Sequence, residues 1–193
     1  MRSLRIELIS CFALLLGLFL LHTGYTSADI FAERRIASHI RATTLAMGVL
    51  QSANNREADR MFATDDMVFD GFDVAALRVK KLGKMGFKYR ISPHDMSGDS
   101  ALCEALDIEV WKKTDVVYAG KLTDMIVDST LTTSKPDDWI FLLSLGSDDA
   151  ALKDKSCTFD IRFKTYNGNN VESTSGFFSR RYIHNRVSTA QNW

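Results

Sequence analysis

From Cys157 the chain alternates strictly: Cys157, Phe159, Ile161 and Phe163 share one parity, and Thr158, Asp160, Arg162 and Lys164 share the other. Successive side chains of a β-strand point to opposite faces, so this pattern predicts a half-buried strand whose cysteine and aromatic rings face a core. A helix would scatter the same four residues around its circumference. Phe87, Tyr89 and Ile91 against Lys88 and Arg90 repeat the pattern, as do Leu106, Ile108 and Val110 against Asp107 and Glu109. Residues 43–50, more weakly 61–69, and finally 177–189 predict further strands. Over residues 72–80 the alternation slips phase at Ala75 and Ala76, which predicts a β-bulge. Residues 137–145 are apolar on both parities, predicting a strand covered on two sides or packed against another molecule.

The connections carry turn and cap residues. Residues 93–98 predict a loop, and Asp99 or Ser100 predicts the N-cap of a short helix reaching to Leu106. A turn near residues 112–115 returns the chain through Val116, Val117 and Tyr118 as a hairpin arm. Residues 122–127 predict one helical turn, residues 146–154 a loop with a small helical piece, and residues 167–170 a turn. Short strands at roughly ten-residue spacing, with helices only in the connections, predict an all-β fold of two antiparallel sheets packed face to face.

The first 28 residues are of another kind. Arg2 and Arg5 open the chain, residues 8–28 hold no Asp, Glu, Lys or Arg, and residues 8–21 are apolar apart from Ser10. A positive start, an apolar run and a small-residue exit predict a secretory signal peptide over 1–28, cut by signal peptidase after Thr26, Ser27 and Ala28. The rival is an uncleaved signal anchor, because the uncharged span can just cross a bilayer; only then would the chain hold to a membrane. In residues 29–41, Ile30, Ala32, Ile36 and Ile40 share strand parity, yet Ile36 and Ile40 are also helically spaced, so this segment reads as an N-terminal arm. Residues 42–193 are the expected sandwich domain, secreted or displayed at the cell surface.

Composition adds an exclusion. The formal charge is zero, and cleavage would remove Arg2, Arg5 and Glu7 from 24 basic and 24 acidic residues, leaving one net negative charge. That balance carries no electrostatic footprint for nucleic acid. The basic run Arg78, Lys80 and Lys81, with Lys84, Lys88 and Arg90, reads as the wet face of a strand pair.

Cys11 lies in the leader, so an exported domain keeps Cys103 and Cys157, an even pair that predicts a disulfide between the short helix and the core strand. Two buried free thiols are the alternative. His39, His94 and His184 lie far apart in sequence and read as separate surface histidines, giving no expected metal site. No HExxH, GxSxG, P-loop or GxGxxG is present, and no catalytic residue is assigned. The acidic pairs Asp65 with Asp66, Asp137 with Asp138 and Asp148 with Asp149, near Asp70 and Asp73, could offer oxygens to Ca²⁺, but none has EF-hand spacing. Solvated loop acids are the plainer reading, and no cofactor is expected.

The order of weak motifs resembles the TasA/camelysin family of exported β-sandwich proteins, which includes biofilm-matrix fibre subunits. An apolar leader precedes Ile30, Phe31 and Ala32; residues 41–50 are similar to the family's first strand. Residues 69–73 stand where the family has a Pro-Gly-Asp turn, which is absent here. Residues 102–110, then Tyr118, Gly120, Leu122 and Asp124, look like the family's helix, strand and Tyr-x-Gly-x-Leu-x-Asp corner, followed by residues 139–145 and 152–163 in family order. The cysteine pair is not a general family feature. The resemblance implies a jelly-roll subunit that polymerises outside the cell, its freed N-terminal segment completing a neighbour's sheet, with Ile30, Ala32, Ile36 and Ile40 as pocket-fillers. The partner would then be the chain itself, in an open head-to-tail series. The camelysin name also implies a membrane-associated metalloendopeptidase. A third reading is a monomeric membrane-anchored surface domain that binds through Trp139 and Phe141, or through Phe177 and Phe178.

Overall fold

The computed structural model describes residues 45–166 and 178–193. They fold as an all-β sandwich. The first sheet runs in the order β1 (Met47–Gln51), β3 (Phe72–Lys81), β8 (Asp137–Leu145), β5 (Leu106–Lys112), β6 (Asp115–Lys121). The second runs β2 (Arg60–Met67), β10 (Arg180–Thr189), β9 (Ser156–Tyr166), β4 (Phe87–Gly98), β7 (Val127–Leu131). A short helix, α1 (Ser100–Ala105), and single 3₁₀ turns at Leu122–Asp124 and Ala150–Leu152 fill connections.

The alternating stretches behave as their parity requires. Cys157, Phe159, Ile161 and Phe163 of β9, Phe87, Tyr89 and Ile91 of β4, and Leu106, Ile108 and Val110 of β5 all point into the space between the sheets. Trp139, Phe141, Leu143 and Leu145 of β8 meet them from the other side. The rings interlock edge to face, with Tyr89 against Trp139 at 6.2 Å and Phe141 against Phe163 at 6.5 Å between centroids. Full burial of side chains of this size stabilises by about 1.5–3 kcal/mol each, so this layer holds the sandwich shut.

Four expectations are corrected. β3 keeps unbroken register with β8 from Phe72↔Ser144 to Val79↔Asp137, so no bulge lies at Ala75 and Ala76. Instead Ala75, Leu77 and Val79 face the core while Phe72 and Val74 stand exposed on the outer face; apolar residues on both faces imitate a phase slip. Secondly, the described residues cover β8 on one face only and Ile140 is exposed on the other, which removes the two-sided reading but not packing against another molecule. Thirdly, the stretch from Pro93 to Gly98 is not a loop but the second half of β4. Proline is tolerated there because β7 pairs β4 only as far as Ile91, leaving one neighbouring strand at Pro93. Finally, the sheets are not wholly antiparallel, since β2 lies parallel to β10. No hairpin joins these two strands, which lie far apart in sequence, so nothing forces opposite directions.

The disulfide forms as expected between Cys103 of α1 and Cys157 of β9, with an S–S distance of 2.05 Å across 54 residues. Gly98 makes this junction possible. Its φ is +103°, and a Cβ there would stand 2.3 Å from the Ser156 carbonyl oxygen, so only glycine lets β4 end against β9. The next residue, Asp99, caps α1 by accepting from the Leu102 amide at 3.2 Å. That hydrogen bond, with Lys155 beside it, holds the Asp99 carboxyl below its ordinary range.

One polar cluster crosses the core. The Tyr89 hydroxyl donates to Asp137 Oδ2 at 2.6 Å and accepts from Trp139 Nε1 at 2.9 Å. Lys112 Nζ lies 2.9 Å from the same Asp137 oxygen and donates to Ser129 Oγ at 2.6 Å. β4 and β7 of one sheet are thereby tied to β5 and β8 of the other. Burial first, then the bond to Asp137, pushes the Tyr89 hydroxyl pKa well above the ordinary tyrosine range.

Candidate functional site

Two surfaces stand apart from ordinary wet sheet, one on each side of the sandwich. The first is the outer face of the β1–β3–β8–β5–β6 sheet. Cross-strand pairing sets Val74 beside Leu142 and Ala76 beside Ile140, and Ile140 in turn beside Trp111. Trp111 is paired with Val116 across a register break in the β5–β6 hairpin. Phe72 is 66% exposed, Val74 50%, Val116 47%, Val117 44% and Ile140 41%, so the row is open to water from β3 to the far edge. A contiguous apolar strip of this kind marks contact surfaces.

That far edge is β6 itself. Among the described residues it pairs with β5 alone, and Tyr118 is the one residue in it that is even half-buried, so none of them covers either face or the outer edge. Val116, Val117 and Tyr118 give it strong strand propensity without an internal charge or proline to discourage pairing. The strand ends at Gly120 and Lys121, where the Tyr118 hydroxyl donates to the Lys121 carbonyl at 2.7 Å before the 3₁₀ turn begins. The other long edge, β2, carries Asp65 and Asp66, charges that oppose strand addition.

The second surface lies on the outer face of the opposite sheet. His94 of β4, Asp160 of β9, His184 of β10 and Arg60 of β2 occupy one rung, each directly across from the next. His184 Nδ1 donates to Asp160 Oδ1 at 2.5 Å. His94 Nδ1 stands 2.9 Å from Asp95 Oδ2, off the line of a hydrogen bond; that nitrogen is shut off from solvent and has no hydrogen-bond partner. The Tyr182 ring packs edge-on to the His94 imidazole at 5.2 Å. Asp95, Asp160 and His184, with Thr158, Arg60 and Arg186, line an open cleft of about 360 Å³.

The residues expected to act divide as follows. Cys103 and Cys157 are joined and buried. Trp139 and Phe141 are 1% and 0% exposed, so they build the core and cannot make external contacts; their outward neighbours Ile140 and Leu142 hold that position instead. Phe178 is half-buried with the Arg180 guanidinium 4.6 Å from its ring centroid, and Phe177 lies outside the described residues. Ile30, Ala32, Ile36, Ile40, His39 and the whole leader also lie outside them. Among the described residues no helix is long and apolar enough to cross a membrane. His94 and His184, read as separate surface residues, flank one carboxylate. Their common rung is set by strand pairing over 66 and 24 residues, which no local pattern encodes.

The acidic pairs do not gather into an oxygen cage. Asp137 faces the core network while Asp138 points outward to Arg78 at 2.7 Å, as adjacent strand residues must. Asp65 accepts from Ser188 Oγ at 3.0 Å, and Asp149 caps the 3₁₀ turn at Ala150–Leu152.

No protein-family model and no curated protein matches the chain, so the resemblance to the TasA/camelysin family rests on its motif order alone. Among solved structures, the chain is similar to a PapD-like domain of human CEP192 at 8% identity and a TM-score of 0.39, covering 76% of this chain and 88% of that one. A family 123 glycoside hydrolase from Clostridium perfringens matches at 6% identity and a TM-score of 0.42, over 76% of this chain and 28% of the enzyme. The N-terminal domain of PorA matches at 7% identity and a TM-score of 0.39, over 72% of this chain and 97% of that one.

Proposed function

We propose that the chain is an exported structural subunit that self-assembles outside the cell, adding a strand from one copy to the open edge of the next. The observation that carries this reading is β6, a seven-residue edge strand that the described residues leave uncovered on both faces and that continues into an exposed apolar strip. An extended segment laid along such an edge gains backbone hydrogen bonds in register, while its alternate side chains settle against Val116, Val117 and Trp111. Residues 29–41 are the donor, with Ile30, Ala32, Ile36 and Ile40 at the alternating positions that strand addition needs. The contact is head-to-tail and does not close on itself, so repetition gives a filament rather than a dimer. On this reading the work of the molecule is contact, not catalysis.

The test is assembly of the exported protein followed by negative-stain microscopy. Wild-type protein is expected to form filaments; deletion of residues 29–41 and, separately, Val117→Lys are expected to leave monomers with unchanged circular dichroism. Filaments from the deleted chain would remove the donor-strand mechanism. Wild-type protein that stays monomeric at every concentration would favour a surface domain that binds a different partner through the same strip.

A further inference from the structure

Independently of self-assembly, the rung on the second sheet carries an unexplained piece of construction. His94, Asp95 and Asp160 each offer a donor atom, and these atoms lie within 4.8 Å of one another. Strict alternation along β4 would send His94 and Asp95 to opposite faces of the sheet. They reach the same place because β4 bulges: its register with β9 breaks between His94 and Ser97, and Asp95 takes a φ of +47°. The bulge turns the Asp95 side chain out to 74% exposure and lets Met96 pack on the core instead. A left-handed conformation costs a non-glycine residue about 1 kcal/mol or more, and bulges of this kind re-aim side chains.

The donor spacing is close to that of ligands sharing one ion. Two groups bound to one ion at about 2.1 Å stand about 3 Å apart at a right angle and about 3.4 Å apart at the tetrahedral angle zinc favours, so a shift of about half an ångström seats an ion between a pair as close as this one. His94 Nδ1 and Asp95 Oδ2 are 2.9 Å apart, with the nitrogen hidden from water and unbonded. Asp160 brings a carboxylate oxygen to within 4.8 Å of both, and His184 Nδ1 holds that carboxylate through Oδ1. We propose that His94, Asp95 and Asp160 bind a divalent transition-metal ion of the zinc type, with His184 as a positioning residue that fixes the Asp160 carboxylate. One imidazole and two carboxylates suit such an ion, whereas Ca²⁺ asks for six to eight oxygens that this rung does not hold. The bound ion would clamp the β4 bulge to β9 and leave its remaining positions toward the cleft.

The experiment is isothermal titration of the tag-free exported protein with zinc chloride and, separately, calcium chloride, with metal content measured after dialysis. Expected are one zinc ion per chain, no saturable calcium binding, and at least tenfold weaker zinc binding in both His94→Ala and Asp95→Asn. Asp95 is exposed and asparagine tolerates its backbone conformation, so Asp95→Asn keeps the fold and reads the site alone. His184→Ala is expected to weaken binding by about 10- to 100-fold, with His184→Gln, which still donates to Asp160, recovering most of it. Absence of saturable zinc binding, or unchanged affinity in Asp95→Asn, overturns the site; equal affinity in His184→Ala and wild type removes the positioning role.

Discussion

At the scale of single residues, Tyr89 shows how much of the sandwich depends on one hydroxyl. It is fully buried, donates to Asp137 and accepts from Trp139, so removing it strands an indole N–H and strips a carboxylate of a donor. Leaving a buried polar group unsatisfied costs about 1–3 kcal/mol, and Tyr89→Phe is expected to lose that much in a urea unfolding titration. The same residue sets an alkaline limit. An unfolded tyrosine releases its proton near pH 10, but burial and Asp137 hold the proton on Tyr89 well above that. A raised pKa in the folded state means that its contribution is fully present below about pH 10 and is lost as pH rises further, because the unfolded chain ionises first. Burial also raises Tyr118 and Tyr166, so the informative quantity is the difference between proteins: the alkaline limb should be shallower in Tyr89→Phe than in wild type. At the acid end the sign reverses. Hydrogen bonding from Arg90 holds Asp128 below its ordinary range, so that contribution is present above about pH 4 and fades as pH falls.

Among the elements, those with one wet face were legible in the sequence, and the reason is periodicity. β5, β9 and the first half of β4 alternate cleanly, and the cysteine parity of β9 correctly aimed Cys157 inward. β3 and β8 were misread in part because their outer faces are apolar too, which erases the period that separates inside from outside. The second half of β4 was hidden by Pro93, a residue whose turn preference is overridden once only one neighbouring strand remains. β7 went unseen between two turns, since Asp128, Ser129 and Thr130 carry little strand signal on their own. The histidine–aspartate rung was illegible for a deeper reason, because register between distant strands is a tertiary property. Helix α1, by contrast, was marked by its cap and its cysteine. Six residues cannot hold a helix unaided, so α1 depends on that cap and on the bridge to β9. Replacing both cysteines, Cys103→Ala with Cys157→Ala, is expected to cost about 4 kcal/mol by loop entropy, measured as unfolding free energy. Because loop entropy acts through the unfolded chain, strand amides that exchange by global unfolding should speed up together, and α1, which also loses its anchor, should exchange faster still by local opening; unchanged exchange in the strands would contradict the loop-entropy cost.

For the molecule as a whole, the two sheets have been given different outer surfaces, and that asymmetry carries the case for assembly. One is polar, with His94, Asp160, His184 and Arg60 across a single rung; the other exposes Phe72, Val74, Ile140 and the Val116–Val117 edge. A formal charge of zero, or of one negative after cleavage of the leader, means that copies approach with little net repulsion, so the apolar strip is free to decide whether they stay together. Two contributions are then separable: strand addition along β6, and side-chain burial across β3 and β8. The double substitution Val74→Lys with Ile140→Lys tests the second without touching the first. Both positions are exposed, so unfolding free energy should shift by no more than about 0.5 kcal/mol each. In sedimentation velocity the average mass of the wild type is expected to climb with concentration, and that of the double variant to stay at the monomer. If the double variant associates as the wild type does while Val117→Lys does not, backbone pairing at β6 is sufficient. The apolar face would then be open for a second kind of contact, between filaments rather than within one.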